Sequence, residues 1–175
     1  MKVFFICFEM KYTRLTKEQL EELHHEFINF LATQTITGEE WKQIKEKQPE
    51  AAEQELDIFS DLIWEGVLSK ANYLQNCSAQ QLFLFKLAEN EMHLIVVKVT
   101  ETGVDLMSAN GFEWLQNNIS SSSVELYTAS KAYSASVPPE ASAEAQDRNK
   151  YVFELINQGA EIVSGKMYDA FQKFI

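Results

Sequence analysis

A helical hydrophobic pattern runs through residues 49–74 and predicts the central element of the fold. Its apolar positions recur every three or four residues, at Leu56, Phe59, Ile63 and Val67. Ile58 and Leu62 widen this stripe, so we expect the helix to be contacted on more than one side and its four defining residues to be buried. Pro49 suits the first turn of such a helix.

Two further helices are predicted upstream of this one. Thr16, followed three residues later by Gln19, has the form of a capping box, and the apolar spacing beyond it predicts a helix at about residues 17–34. Thr37 and Glu40 repeat the box and predict a shorter helix that ends before Pro49. The N-terminal part is therefore predicted to contain three helices with short joints.

The pattern changes to that of strands after Asn76. Residues 81–88 (QLFLFKLA) and 92–100 (MHLIVVKVT) predict a β-hairpin, although a helix is the alternative for the first arm. Residues 104–107 are a candidate third strand after a Thr-Gly turn. The alternation in residues 124–133 predicts another strand.

Helical signals return in the last part of the chain. Residues 134–147 are small, polar and proline-containing, which predicts a flexible loop. A helix follows, with Gly159 suited to its C-cap, and a last helix is expected after Gly165. We therefore expect an α+β fold in which an antiparallel sheet of three to four strands lies between N-terminal helices and C-terminal helices packed back on it.

Composition narrows the class of protein. The chain has 175 residues and 46% hydrophobic content, which suits one domain with its own core. Its formal net charge of −11 disfavours nonspecific binding to nucleic acid or anionic membranes. Cys7 and Cys77 are too few for a disulfide framework or a zinc site. No apolar run approaches the roughly 20 residues that a membrane-spanning helix needs.

Four carboxylates at successive four-residue steps mark the central helix: Glu53, Asp57, Asp61 and Glu65, here called the acidic row. Adjacent members are neighbours on a helix, so they can share a divalent cation or meet a basic partner. The row is not accompanied by a histidine at helical spacing, unlike the sites of di-metal helical bundles. A solvated helix face is the simpler explanation of the pattern.

Other reactive residues do not assemble into a catalytic motif. His24 and His25 are adjacent, so their side chains diverge on a helix, and His93 is distant in sequence. Cys77 has no neighbouring base to lower the pKa of its thiol. The six glycines do not form a nucleotide-binding loop, so we predict no cofactor.

A family resemblance is carried by residues 10–32 (MKYTRLTKEQLEELHHEFINFLA), 56–74 (LDIFSDLIWEGVLSKANYL) and, more loosely, 153–175. From Met10 onward the chain resembles an uncharacterised family of small Bacteroidota proteins, a domain of unknown function. It implies a bacterial, cytoplasmic setting and supplies no activity or catalytic residues. It also implies that residues 1–9 are an extension before a single domain at 10–175, although the apolar residues 3–8 could form an edge strand.

The absence of a catalytic motif and the many aromatic residues favour a non-enzymatic function. We predict that the protein binds another protein, as an accessory subunit of a complex, and that self-association is a further option. Trp64 and Leu68 are the predicted apolar anchors, and Asp57, Asp61 and Glu65 the surface for a basic partner. The alternatives are a metal-dependent hydrolase that uses these carboxylates with His24 or His25, and an acidic mimic of nucleic acid.

Overall fold

The computed structural model describes residues 9–133 and 147–175, which belong to two compact units. The first unit ends at Ser69 and is helical, and the second begins at Lys70 and contains the sheet. The predicted extension at residues 1–9 and the predicted loop at 134–147 lie almost entirely outside the described residues. That residues 10–175 behave as a single domain stays a prediction.

The first unit contains four α-helices: α1 (Lys17–Glu22), α2 (His24–Thr33), α3 (Gly38–Lys47) and α4 (Pro49–Lys70). Both capping boxes are present, with Thr16 and Thr37 as the capping residues. The single helix expected at about 17–34 is wrong, because Leu23 leaves helical dihedral angles (φ −95°, ψ 21°) and separates α1 from α2. The partly buried Leu23 side chain packs against the core of this unit.

Phe59 is the most deeply buried member of the stripe predicted on α4. It is 1% exposed and lies among the rings of Phe27 and Phe30, with centroid distances of 5.0 and 5.4 Å. Leu56 and Ile63 are only half-buried. The prediction that Val67 is buried is wrong: it is 42% exposed. Each residue turns by about 100° around the helix axis, so the side chain of Val67 points in a different direction from that of Phe59. The buried stripe therefore does not run straight along the helix.

The second unit is built on a five-stranded antiparallel sheet in the order β4-β3-β2-β1-β5. Its strands are β1 (Tyr73–Cys77), β2 (Gln81–Leu87), β3 (Glu91–Val99), β4 (Val124–Ala132) and β5 (Glu161–Ile162). The predicted hairpin is confirmed as β2 and β3, with Leu84 opposite Ile95. The predicted strand at 124–133 is confirmed as β4. Strands β1 and β5 were not predicted.

Residues 104–107 form a turn, so the candidate third strand there is wrong. The carboxylate of Asp105 accepts a 2.9 Å hydrogen bond from the amide of Met107, and its carbonyl accepts one from Ser108 at 3.0 Å. These local bonds replace the bonds that a strand would make and lead into the next helix. The cap of that helix is Ser108, whose hydroxyl accepts from the amide of Gly111.

The described part of the second unit also contains three α-helices and one short 3₁₀ helix (Gln172–Phe174). The α-helices are α5 (Ala109–Asn117), α6 (Arg148–Asn157) and α7 (Lys166–Phe171). Gly159 follows α6 with φ +98° and Gly165 caps α7 with φ +83°, in line with the predicted helix boundaries. Side chains of β2 and β3 pack with those of α5 and α7 and with Leu106. This core contains Leu82, Leu84, Ile95, Val97, Val99, Leu106, Leu115, Tyr168 and Phe171. The predicted α+β class is confirmed, with an antiparallel sheet and with helices in the N-terminal and C-terminal regions of the chain.

Candidate functional site: the acidic row and the open edge of the sheet

The acidic row of α4 binds a segment of its own chain, residues 11–15, here called the clasp segment. The carboxylate of Asp61 accepts two main-chain hydrogen bonds, from the amide of Lys11 at 2.7 Å and from the amide of Tyr12 at 3.0 Å. A carboxylate that accepts from two amides satisfies two donors of an irregular segment at once. Asp61 therefore positions the main chain where the clasp segment begins.

The side chains of the clasp segment pair with the rest of the row. Arg14 donates to Asp57 at 2.5 Å and also binds the carboxylate of Glu53. The pKa of the Arg14 guanidinium is raised, chiefly by its hydrogen bond to Asp57. At the other end, Glu65 accepts from the ammonium group of Lys11 at 3.0 Å. The row thus meets the basic side chains of a segment from the same unit.

Tyr12 adds a hydrogen bond between hydroxyl and carboxylate at the same place. Its hydroxyl donates to Glu65 at 2.5 Å. Burial, followed by this hydrogen bond, raises the pKa of Tyr12 to about 12. Tyr12 is therefore neutral at all physiological pH values and acts there as a donor.

Two more side chains of α4 bind the main chain of the clasp segment. The indole nitrogen of Trp64 donates to the carbonyl of Thr13 at 3.0 Å. The fully buried Ser60 hydroxyl accepts from the amide of Leu15 at 3.1 Å and donates to Leu56 in its own helix. Side chains on one side of α4 therefore bind both the charged side chains and the main-chain groups of the clasp segment.

The clasp segment contacts the carboxylates that were predicted to bind a partner. Asp57, Asp61 and Glu65, the predicted surface for a basic partner, each accept hydrogen bonds from the clasp segment. That they bind a partner stays a prediction. Parts of the row stay accessible: the Glu65 side chain is 45% exposed and that of Asp57 20%. Leu68 is 0% exposed, so it is an interior residue and not the surface anchor expected from the sequence.

The residues considered for metal binding or catalysis are not brought together in the described ranges. No group of three or more His, Cys, Asp or Glu side chains suited to a metal ion occurs among residues 9–133 and 147–175. The prediction that the side chains of His24 and His25 diverge is wrong, because their ring centroids lie 3.9 Å apart on α2. His93 lies apart from them in the fold, on β3 beside Glu91. Burial, followed by the charge of Asp105, raises the pKa of the Cys77 thiol, which disfavours the reactive thiolate.

Sequence reasoning did not identify β4 as a functional candidate, yet it forms one end of the described sheet. All residues from 127 to 132 are exposed, and Tyr127 is 52% exposed. The strand pairs with β3 in an unbroken register from Val124 to Ala132. That a strand will lie at an edge depends on the order of strands in the sheet, which the local pattern does not contain. The small polar residues Thr128 and Ser130 were the available sequence signal for an exposed strand.

Hydrogen bonds beyond both ends of β4 show which of its main-chain groups point outward. The amide of Thr100 donates to the carbonyl of Ser123 at 2.8 Å, and the amide of Tyr133 donates to the carbonyl of Asn90 at 3.0 Å. Bonded pairs alternate along an antiparallel ladder, so the odd-numbered residues of β4 direct their main-chain groups to β3. The even-numbered residues, among them Thr128, direct theirs away from the sheet.

A groove of about 490 Å³ lies beside this edge, between the sheet and the C-terminal residues. It is lined by polar and apolar side chains that include His93, Ile95, Thr128, Ser130, Tyr168, Gln172 and Ile175. Phe174 and Ile175, at the end of the chain, are 51% and 59% exposed. Outward main-chain donors and exposed apolar side chains thus occur side by side at the edge and the groove.

Comparisons with known proteins supply a family and no activity. The sequence profile of one family, described as a family of unknown function (DUF6495), matches residues 10–175. No curated protein and no solved structure matches the chain significantly. None of the described helices is long and apolar enough to cross a membrane.

Proposed function

We propose that this chain, which belongs to the family of unknown function DUF6495, binds another protein chain through the exposed edge of its sheet. We also propose that it catalyses no reaction. The observation that carries this proposal is the outward direction of the main-chain groups of Leu126, Thr128 and Ser130 on an exposed end strand. An incoming strand would pair with these groups and extend the sheet.

The composition of β4 supports binding at this edge. Natural sheets commonly protect an exposed edge with proline, a bulge or a very short end strand. β4 is nine residues long, contains no proline and pairs with β3 without a bulge. Lys131 is its one basic residue. The edge is thus long and regular enough to accept a strand of ordinary length.

The acidic row has a secondary role in this proposal. Its inner side is occupied by the clasp segment, so a basic partner would meet only the accessible outer parts of Asp57, Asp61 and Glu65. Trp64 contributes indirectly, because its indole holds Thr13. We further propose, from the sequence resemblance, that this binding takes place in the cytoplasm of a bacterium.

Matched variants at one position test the proposal. Thr128→Pro removes an outward amide, which proline at an edge position can do without loss of the bonds to β3. Thr128→Val changes the side chain and keeps the amide. Tagged forms of wild type and both variants are produced in the native cytoplasm and purified with their bound proteins. We expect some proteins, which include untagged copies of this chain, to be purified with the wild type and with Thr128→Val. The same proteins should be lost from Thr128→Pro.

Two controls make that comparison decisive. Circular dichroism and melting curves must show that Thr128→Pro keeps its fold. A second strand-edge variant, Ser130→Pro, removes the next outward amide and should cause the same loss. Equal retention of every bound protein by wild type and both proline variants would contradict binding through the edge.

A further inference from the structure

The sequence of β4 is complementary to itself when two copies are aligned antiparallel. With Thr128 of one copy opposite Thr128 of the other, Glu125 lies opposite Lys131 of the second copy, and Lys131 lies opposite Glu125 of the second copy. Tyr127 then faces Ala129 of the second copy, so a large ring meets a small side chain. Opposite charges directly across a strand pair stabilise it, and like charges destabilise it.

We propose that the partner of the open edge is a second copy of this chain, paired β4 to β4 about a two-fold axis at Thr128. This inference rests on the proposed edge binding and names its occupant. The sheets of the two copies would then be continuous. A two-fold axis makes the same surface serve both copies, as in most homodimers.

The direction of the main-chain groups agrees with this register. Thr128 directs its amide and carbonyl outward, so a pair of Thr128 residues exchanges two hydrogen bonds. Leu126 of one copy and Ser130 of the second copy are also even-numbered, so they form the neighbouring hydrogen-bonded pair. Glu125 and Lys131 of the second copy then fall at a non-bonded pair, where side chains lie closest together.

The neighbouring antiparallel registers lack this charge pairing. A shift of the second copy by two residues in one direction opposes Tyr127 to Tyr127 and Glu125 to Ala129. A shift in the other direction opposes Ala129 to Ala129 and Tyr127 to Lys131. Among these alignments, the one centred on Thr128 pairs both charged residues of β4 with opposite charges, and it also uses the whole strand.

Both charged residues of β4 also make contacts inside their own copy. The carboxylate of Glu125 lies 3.3 Å from the ammonium of Lys98, the residue directly opposite it on β3. It also accepts a 2.7 Å hydrogen bond from the hydroxyl of Tyr127. The ammonium of Lys131 lies 4.3 Å from the centre of the Tyr151 ring. Pairing would extend the row of Lys98 and Glu125 by Lys131 of the second copy, so that charges alternate across three strands.

Sedimentation equilibrium of the purified full chain, from micromolar to near-millimolar concentration, tests the inference. We expect a dimer for the wild type and for Thr128→Val, and a monomer for Thr128→Pro. Lys131→Glu opposes two carboxylates on each side of the axis and should raise the dimer dissociation constant about tenfold, because each of two attractive pairs becomes repulsive. The double variant Glu125→Lys with Lys131→Glu restores opposite charges and should recover part of this loss.

Each other outcome overturns the inference in a distinct way. A wild-type chain that stays monomeric at all concentrations excludes the second copy as occupant, whereas proteins lost only from the proline variants in the capture experiment would still support edge binding. A dimer that survives Thr128→Pro uses another surface. A dimer lost in Thr128→Pro but unchanged in Lys131→Glu pairs in another register.

Discussion

The main-chain amide of Lys11 donates a 2.7 Å hydrogen bond to the carboxylate of Asp61, fifty residues further along the chain. This bond, with the one from Tyr12, joins an irregular segment to the middle of a 22-residue helix. It also explains why a carboxylate row of one sign is tolerated on that helix. The clasp segment supplies two cations to the row: Lys11 pairs with Glu65, and Arg14 pairs with Asp57 and Glu53.

Asp61→Asn should destabilise the protein. An amide side chain offers one acceptor oxygen and carries no charge, so one of the two amides loses its partner and the other bond weakens. We expect a cost of about 1–3 kcal/mol in the free energy of unfolding, measured by urea denaturation. Glu46→Gln, at an exposed position of α3, is the matched control and should change stability by about 0.5 kcal/mol or less.

The triple variant Asp57→Asn, Asp61→Asn and Glu65→Gln distinguishes the clasped row from an open one. An open row of like charges would be relieved by neutralisation and would become slightly more stable. The clasped row loses its bonds to Lys11, Tyr12 and Arg14, so we expect a lower melting temperature than for Asp61→Asn alone. An unchanged or raised melting temperature would show that the clasp contributes nothing.

Phe59→Ala should be among the most destabilising substitutions in the first unit. The ring is 1% exposed and packs on the rings of Phe27 and Phe30, so truncation leaves a cavity and costs about 3–5 kcal/mol. Val67→Ala, on the same helix but 42% exposed, is the control and should cost far less. Similar denaturation midpoints for the two variants would contradict the observed rotation of the buried stripe.

Two glycines in helices should respond to alanine with opposite signs. A Cβ on Gly111 would lie 1.8 Å from the carbonyl oxygen of Asp105, so Gly111→Ala must displace main chain and should cost about 1–3 kcal/mol. A Cβ on Gly66 of α4 meets nothing within 4 Å, so Gly66→Ala should stabilise by about 0.5–1 kcal/mol. Thermal melting of both variants beside the wild type measures the difference. Equal shifts would contradict the close approach at Asp105.

Tyr12 predicts a specific loss of stability at alkaline pH. Its pKa rises from 10.0 to about 12 on folding, so the folded state favours the protonated hydroxyl. The resulting stabilisation is complete below pH 10 and is lost as the pH rises through about 12. Urea midpoints measured across this range should fall more steeply for the wild type than for Tyr12→Phe. Parallel curves would show that the hydroxyl is not held as described.

Local signals predicted much of the fold from the sequence. The capping boxes at Thr16 and Thr37 and the β2–β3 hairpin depend on residues close together in the chain, and all are present. Strand β1 was missed because its five residues follow the helical pattern of α4 almost at once and are bounded by no strong turn signal. Strand β5 has two residues, too few for any periodicity.

The candidate sites were harder to predict because both depend on distant contacts. Lys11 and Arg14 carried the charges that balance the acidic row, but nothing local showed that they would reach residues some forty to fifty positions away. The position of β4 at the edge of the described sheet follows from the order of its strands. The strand itself was correctly predicted, whereas its position at the edge was not.

Photo-cross-linking at position 128 tests binding through the sheet edge most directly. A benzophenone amino acid replaces Thr128 on β4 in one form of the full chain and Gln116, an exposed residue of α5, in another. Both forms are irradiated in the living cells that make them. We predict a protein adduct, of a second copy if the self-pairing inference holds, at position 128 and not at position 116. No adduct at position 128, or equal adducts at both positions, would contradict binding at this edge.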